Sequence, residues 1–121
     1  MRTPVFTGSC PALVTPFDAS GNINYDAFGK LIDDQIAAGV DAVCVCGTTG
    51  EGSTLSDKEH RDVLSYATER IAGRVPCIVG TGSNDIAYAV DLTKFACSIG
   101  EFGATRTENG ILKPMVIHYY R

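Results

Sequence analysis

A chain of 121 residues and 12.8 kDa holds at most one ordinary domain. Its hydrophobic share of 45% is that of a globular protein, and a formal net charge of -4 with a pI near 5.0 excludes the basic footprint of a nucleic-acid binder. No apolar stretch approaches the length of a membrane span, and Met1-Arg2-Thr3-Pro4-Val5-Phe6 lacks the apolar core of a signal peptide, so the expected location is cytoplasmic.

The first apolar run is Pro11-Ala12-Leu13-Val14, closed by Thr15-Pro16-Phe17. Prolines at both ends suit a strand terminus better than a strand centre. Asp18-Ala19-Ser20-Gly21-Asn22 is turn chemistry, and a helix is predicted to start at Asn24, a good cap, with Asp26 in its first turn. Tyr25, Phe28, Leu31, Ile32 and Ile36 recur at helical spacing, and Gly39 is the expected stop.

Residues 41–46 are predicted as the next strand, running into Gly47-Thr48-Thr49-Gly50-Glu51. Glycines let the backbone turn tightly, and adjacent threonines place two hydroxyls at the carboxyl end of the strand, where parallel α/β proteins bind ligands. Two readings stand open: an ordinary strand-to-helix loop, or a site for a small anion. Gly52 is followed by Ser53 rather than the lysine of a Walker loop, and neither Gly50-Glu51-Gly52 nor Gly80-Thr81-Gly82 completes the dinucleotide fingerprint.

Ser56-Asp57-Lys58-Glu59 has the capping-box pattern and opens a second helix with Val63, Leu64, Ala67 and Ile71 as its inward stripe and Gly73 as its end. His60, one place after Glu59, is expected at a surface or interface. Residues 75–79 form a third apolar run, followed by Gly80-Thr81-Gly82-Ser83-Asn84 and a helix over residues 85–98 that ends at Gly100. Its packing candidates are Ile86, Ala89, Val90, Thr93, Ala96 and Cys97. Strands and helices thus alternate about every 30–35 residues, the signature of parallel βαβ units, as in a barrel or a doubly wound sheet.

After Phe102 the pattern fails. Residues 104–110 are polar where a fourth parallel strand belongs, and Pro114 limits residues 111–117 to an edge position. Lys30, Lys58 and Lys94 lie on helices and are expected to reach solvent, whereas Lys113 has apolar neighbours. The five cysteines (Cys10, Cys44, Cys46, Cys77 and Cys97) contain no C-x-x-C and, with His60 and His118, give no zinc spacing. They are expected to act as small hydrophobes, and no metal is expected.

Phe6-Thr7-Gly8-Ser9, Leu13-Val14-Thr15-Pro16-Phe17, Gly47-Thr48-Thr49-Gly50-Glu51, Thr54-Leu55, Glu59-His60 and Pro76 through Gly80-Thr81-Gly82 occur in the order and at the spacing of one family. The chain resembles the N-terminal part of dihydrodipicolinate synthase, a pyruvate-dependent lyase of the aldolase superfamily. The likeness implies a partial (β/α)8 TIM barrel in residues 1–103, about the first three βα units, with residues 104–121 a divergent or frameshifted tail. It implies a homo-oligomer, an active site that needs no cofactor, and condensation of pyruvate with aspartate semialdehyde on the lysine pathway. By the same likeness Thr49 binds the pyruvate carboxylate, Thr48 supplies the hydroxyl of a proton relay, Gly47 shapes the loop, and His60 and Asn84 belong to a lysine-feedback site. Tyr88 and Asp57 depart from the family pattern at that feedback site, which weighs against feedback inhibition.

The family's Schiff-base lysine and relay tyrosine are expected beyond residue 121, and Tyr119-Tyr120 stands in another context and is not assigned the tyrosine's role. The alternatives are a non-catalytic, aggregation-prone fragment or accessory subunit, and a piece of another pyruvate aldolase such as N-acetylneuraminate lyase. The paired threonines favour the synthase, because serine is commoner in the lyase at the position of Thr48.

Overall fold

The computed structural model describes residue 4, residues 6–100 and residues 115–117. Helix α1 (Tyr25–Ala37) begins where the sequence places it, because Asn24 accepts from the Ala27 N–H through its side chain and Asp26 stands in the first turn. The chain then reverses through Gly39 at φ 91. Strand β1 (Val43–Val45) follows, buried along its whole length. In helix α2 (Asp57–Ile71) the capping box is complete: the Ser56 hydroxyl accepts from the Glu59 N–H, and the Glu59 carboxylate accepts from the Ser56 N–H. This helix ends at Ile71, two residues before Gly73, with the cap Ala72 itself left-handed at φ 50. Strand β2 (Cys77–Gly80), helix α3 (Ile86–Gly100) and strand β3 (Met115–Ile117) complete the described elements.

All ladders between the named strands are parallel. Val43, Cys44 and Val45 stand opposite Cys77, Ile78 and Val79, and Ile78, Val79 and Gly80 stand opposite Met115, Val116 and Ile117. The described sheet has the order β1-β2-β3, so β3 lies at its edge directly after Pro114. The sequence expected an irregular tail there with an edge position for residues 111–117. Part of it is instead a parallel strand in register with β2. Residues 104–114 and 118–121, with the expected polar break, Lys113, His118 and Tyr119-Tyr120, lie outside the described residues.

The predicted first strand is reduced to one parallel bridge, Ala12 to Cys44, with the Leu13 N–H donating to Cys44 and the Cys44 N–H to Pro11, each at 2.9 Å. Pro11 and Pro16 have no N–H to donate, which keeps the ladder from extending.

One layer of helices covers the sheet. Phe28 and Ile32 of α1, Val63, Leu64, Ala67 and Ile71 of α2, and Leu92 and Ala96 of α3 bury against Val43, Val45, Cys77 and Val79. Each valine, leucine, isoleucine or phenylalanine among them contributes on the order of 1.5–3 kcal/mol. Of the residues expected to pack on α3, Ala96 is buried and Ala89 and Thr93 are half-buried, but Ile86 and Val90 are 75% and 46% exposed and Cys97 is exposed, while Leu92, outside that set, is fully buried. Apolar residues occur all round this helix, so its inward face is set by packing and not by periodicity. Between α1 and α2, Arg70 and Arg74 both hold the Asp33 carboxylate and lower its pKa to about 2. Lys30 and Lys58 face solvent beside Asp34 and Asp62, and Lys94 is exposed, as expected. No helix among the described residues is long and apolar enough to cross a membrane.

Candidate active site

The loop after β1 is built around the backbone of Cys46. This residue is left-handed, at φ 56, and so turns the chain sharply at the carboxyl end of the strand. Its carbonyl is walled in by glycines: a Cβ on Gly52 would stand 2.3 Å from that oxygen, and a Cβ on Gly80 2.0 Å from it. Backbone bonds then close the loop, with the Glu51 N–H donating to Thr48 at 3.0 Å and the Gly52 N–H to Gly47 at 3.2 Å. Gly47 is buried by this closure, while Thr48 and Thr49 stand exposed on its outer side. Neither the Thr48 nor the Thr49 N–H donates to a carbonyl among the described residues. Two hydroxyls and two amides at the end of a parallel strand form a site suited to a small carboxylate.

Beside the loop lies a cleft of about 780 Å³. Gly47, Thr48, His60 and Asn84 all line it, but Thr49 does not. The structure therefore brings four of the five candidate residues to one cleft and turns the fifth away from it. Asp57 and Tyr88 also line it, and the Arg61 guanidinium donates to the Asp57 carboxylate at 2.9 Å and holds that carboxyl below its ordinary range. Among the described residues, no lysine lines the cleft.

His60 corrects the expectation of a surface or interface histidine. It is 3% exposed, and its Nε2–H donates to the Gly80 carbonyl at 2.8 Å, tying α2 to the end of β2. The signal was present in the spacing, because His60 opens the same stripe as Val63, Leu64, Ala67 and Ile71. Burial pushes the imidazole below its ordinary value, and the backbone of Gly80 and Gly52 and the nearby Asp57 carboxylate only partly oppose this. A base with a lowered folded pKa binds its proton more readily in the unfolded chain. The stability contributed by neutral His60 is thus complete above the unfolded value of about 6.5 and falls as the pH drops below it. Denaturant melts between pH 7.5 and 5 are expected to show this loss, and His60→Gln is expected to flatten it.

Two further hydroxyls organise the loops and were not identified from sequence. The buried Thr15 hydroxyl donates to the Gly50 carbonyl at 2.6 Å. The Thr93 hydroxyl donates to Ala89 at 2.7 Å, so the fully buried Thr81 hydroxyl donates to Thr93 Oγ1 at 2.9 Å and ties the loop after β2 to α3. Burial pushes Cys46 up to about 12 and Cys77 upward as well, so both remain protonated and pack as hydrophobes. Among the described residues, no cluster of side chains has the makings of a metal site.

A sequence profile of the Dihydrodipicolinate synthetase family matches residues 5–107. The chain is 51% identical over 100 residues to a 4-hydroxy-tetrahydrodipicolinate synthase of Acetivibrio thermocellus, covering 83% of this chain and 34% of that protein. In three dimensions it resembles the dihydrodipicolinate synthase of Aquifex aeolicus, with a TM-score of 0.77, 43% identity, and coverage of 95% of this chain and 36% of the other. It also resembles the chloride-inhibited dihydrodipicolinate synthase of Acinetobacter baumannii complexed with pyruvate, with a TM-score of 0.75, 39% identity, and coverage of 77% and 32%. The chain spans about a third of the length of the relatives it matches.

Proposed function

The chain belongs to the dihydrodipicolinate synthetase family, and we propose that it carries the pyruvate-carboxylate loop of a cytoplasmic lyase that condenses pyruvate with aspartate semialdehyde. In this reading residues 1–103 are the first βα units of a (β/α)8 barrel that works as a homo-oligomer. The observation that carries the proposal is the loop itself: Gly47 buried, with Thr48 and Thr49 exposed at the carboxyl end of β1. Thr49, with the free amides beside it, holds the carboxylate, and Thr48 passes a proton through its hydroxyl. Pyruvate bound to the A. baumannii relative supports that choice of acid.

The covalent step of such a lyase needs an amine nucleophile. Lys30, Lys58 and Lys94 sit on exposed helix faces, so in this proposal none of them supplies it. His60 and Asn84, which share the neighbouring cleft, are the regulatory candidates, with Asp57 and Tyr88 in the same lining as the residues that weigh against lysine feedback.

Titrating the isotopically labelled protein with pyruvate tests the reading. Saturable shifts at the Gly47, Thr48, Thr49 and Gly50 amides are expected. Shifts confined to the His60–Asn84 cleft, or none, would sink it.

A further inference from the structure

We propose that Thr15 is the positioning residue of the 47–52 loop, its hydroxyl fixing the Gly50–Glu51 peptide plane that directly follows the two loop threonines. The proposal rests on the reading of that loop as a carboxylate site. Thr15 is 4% exposed and its hydroxyl reaches the Gly50 carbonyl at 2.6 Å across 35 residues of sequence, the one long-range side-chain hydrogen bond that the described residues make to this loop.

Three features give this contact its aim. Thr15 precedes Pro16, which confines its backbone to extended conformations and so narrows the directions open to its side chain. Leu13, two residues earlier, is locked beside β1 by its N–H bond to Cys44, and an extended chain carries Leu13 and Thr15 on the same side. On the other flank the Asn24 N–H donates to Pro16 at 2.9 Å, so the segment is held at both ends. The loop has little room to answer independently: a Cβ on Gly50 would stand 3.0 Å from the Cys46 nitrogen and 3.1 Å from the Leu13 oxygen. The Gly50 carbonyl belongs to the Gly50–Glu51 peptide unit, one residue beyond Thr49, and Gly50 is itself buried. Without the Thr15 hydroxyl that carbonyl loses its partner in a place with poor access to water, and the loop must rotate to hydrate it.

The test compares Thr15→Val, which keeps the shape and removes the donor, with Thr15→Ser, which keeps the donor. Hydrogen exchange at the Glu51, Gly52 and Thr54 amides is expected to quicken by at least about 10-fold in the valine variant, with the central amides of α1 unchanged. The serine variant is expected to restore protection to within about 3-fold of the parent. Pyruvate affinity is expected to follow the same order, falling by about 10-fold with valine. Unchanged loop exchange in Thr15→Val would overturn the proposal, as would an equal loosening of α1, which would mark a merely structural role. If the parent protein binds no pyruvate, the carboxylate reading fails, while the exchange comparison still decides whether Thr15 positions the loop.

Discussion

Gly80→Ala is expected to be among the most damaging single-methyl changes available to this chain. The added carbon would stand 2.0 Å from the Cys46 oxygen, 2.6 Å from the Cys46 carbonyl carbon and 2.9 Å from the Gly47 nitrogen. All three are backbone atoms, so no rotamer change relieves the overlap, and β1 and β2 must separate at their carboxyl ends. Overpacking typically costs about 1–3 kcal/mol, and the upper end, about 3 kcal/mol, is expected here. For a chain of this size each kcal/mol lowers the midpoint by about 4 °C, which gives a fall of about 12 °C in a thermal melt followed by circular dichroism. The same displacement dislodges the Gly80 carbonyl from His60, so the damage reaches α2 as well. Gly21→Ala is the control: nothing lies within 4 Å of its added carbon, and the strain at φ +83 costs only about 1 kcal/mol. Equal midpoints for the two variants would refute the close packing around Cys46.

Thr49→Val is expected to weaken pyruvate binding by about 10- to 100-fold, because a hydrogen bond to a charged group contributes about 1.5–3 kcal/mol. The side chain is exposed and carries no packing burden, so the thermal midpoint is expected to stay within about 2 °C of the parent. Thr48→Val is expected to separate the two roles. Its pyruvate affinity should remain within about 3-fold of the parent, because in the proposed reading its hydroxyl passes a proton and does not hold the carboxylate. Calorimetric titration gives the affinities, and equal losses for the two variants would contradict the division of labour between them.

Much of this architecture is legible in the sequence because local chemistry and tertiary packing agree there. Asn24 caps α1 and Ser56-Glu59 box the start of α2 through contacts spanning three residues, which a sequence states directly. The strand-glycine-threonine pattern likewise marked the loop, because a buried strand must end where the backbone turns. What the sequence did not show depends on long-range partners. His60 read as a surface residue because its acceptor is the Gly80 carbonyl, 20 positions away. Thr15 passed unnoticed because its partner is 35 positions away. The face of α3 was legible only in part: Ala96 packs as expected, but apolar residues encircle the helix, and only packing against the core selects Leu92 over Ile86 and Val90. The first strand was overextended because the prolines that bound its apolar run also deny it a ladder. Thr48 lines the cleft and Thr49 does not, and the left-handed turn at Cys46 that opens the loop is a conformation that a non-glycine residue seldom adopts.

The measurement that bears most directly on the central claim is a crystal structure of the protein with pyruvate bound. The expected result places the pyruvate carboxylate on the outer side of the 47–52 loop, within hydrogen-bond distance of the Thr49 hydroxyl and the adjacent amides. A carboxylate seated against His60 and Asn84 instead, with Thr49 untouched, would contradict it.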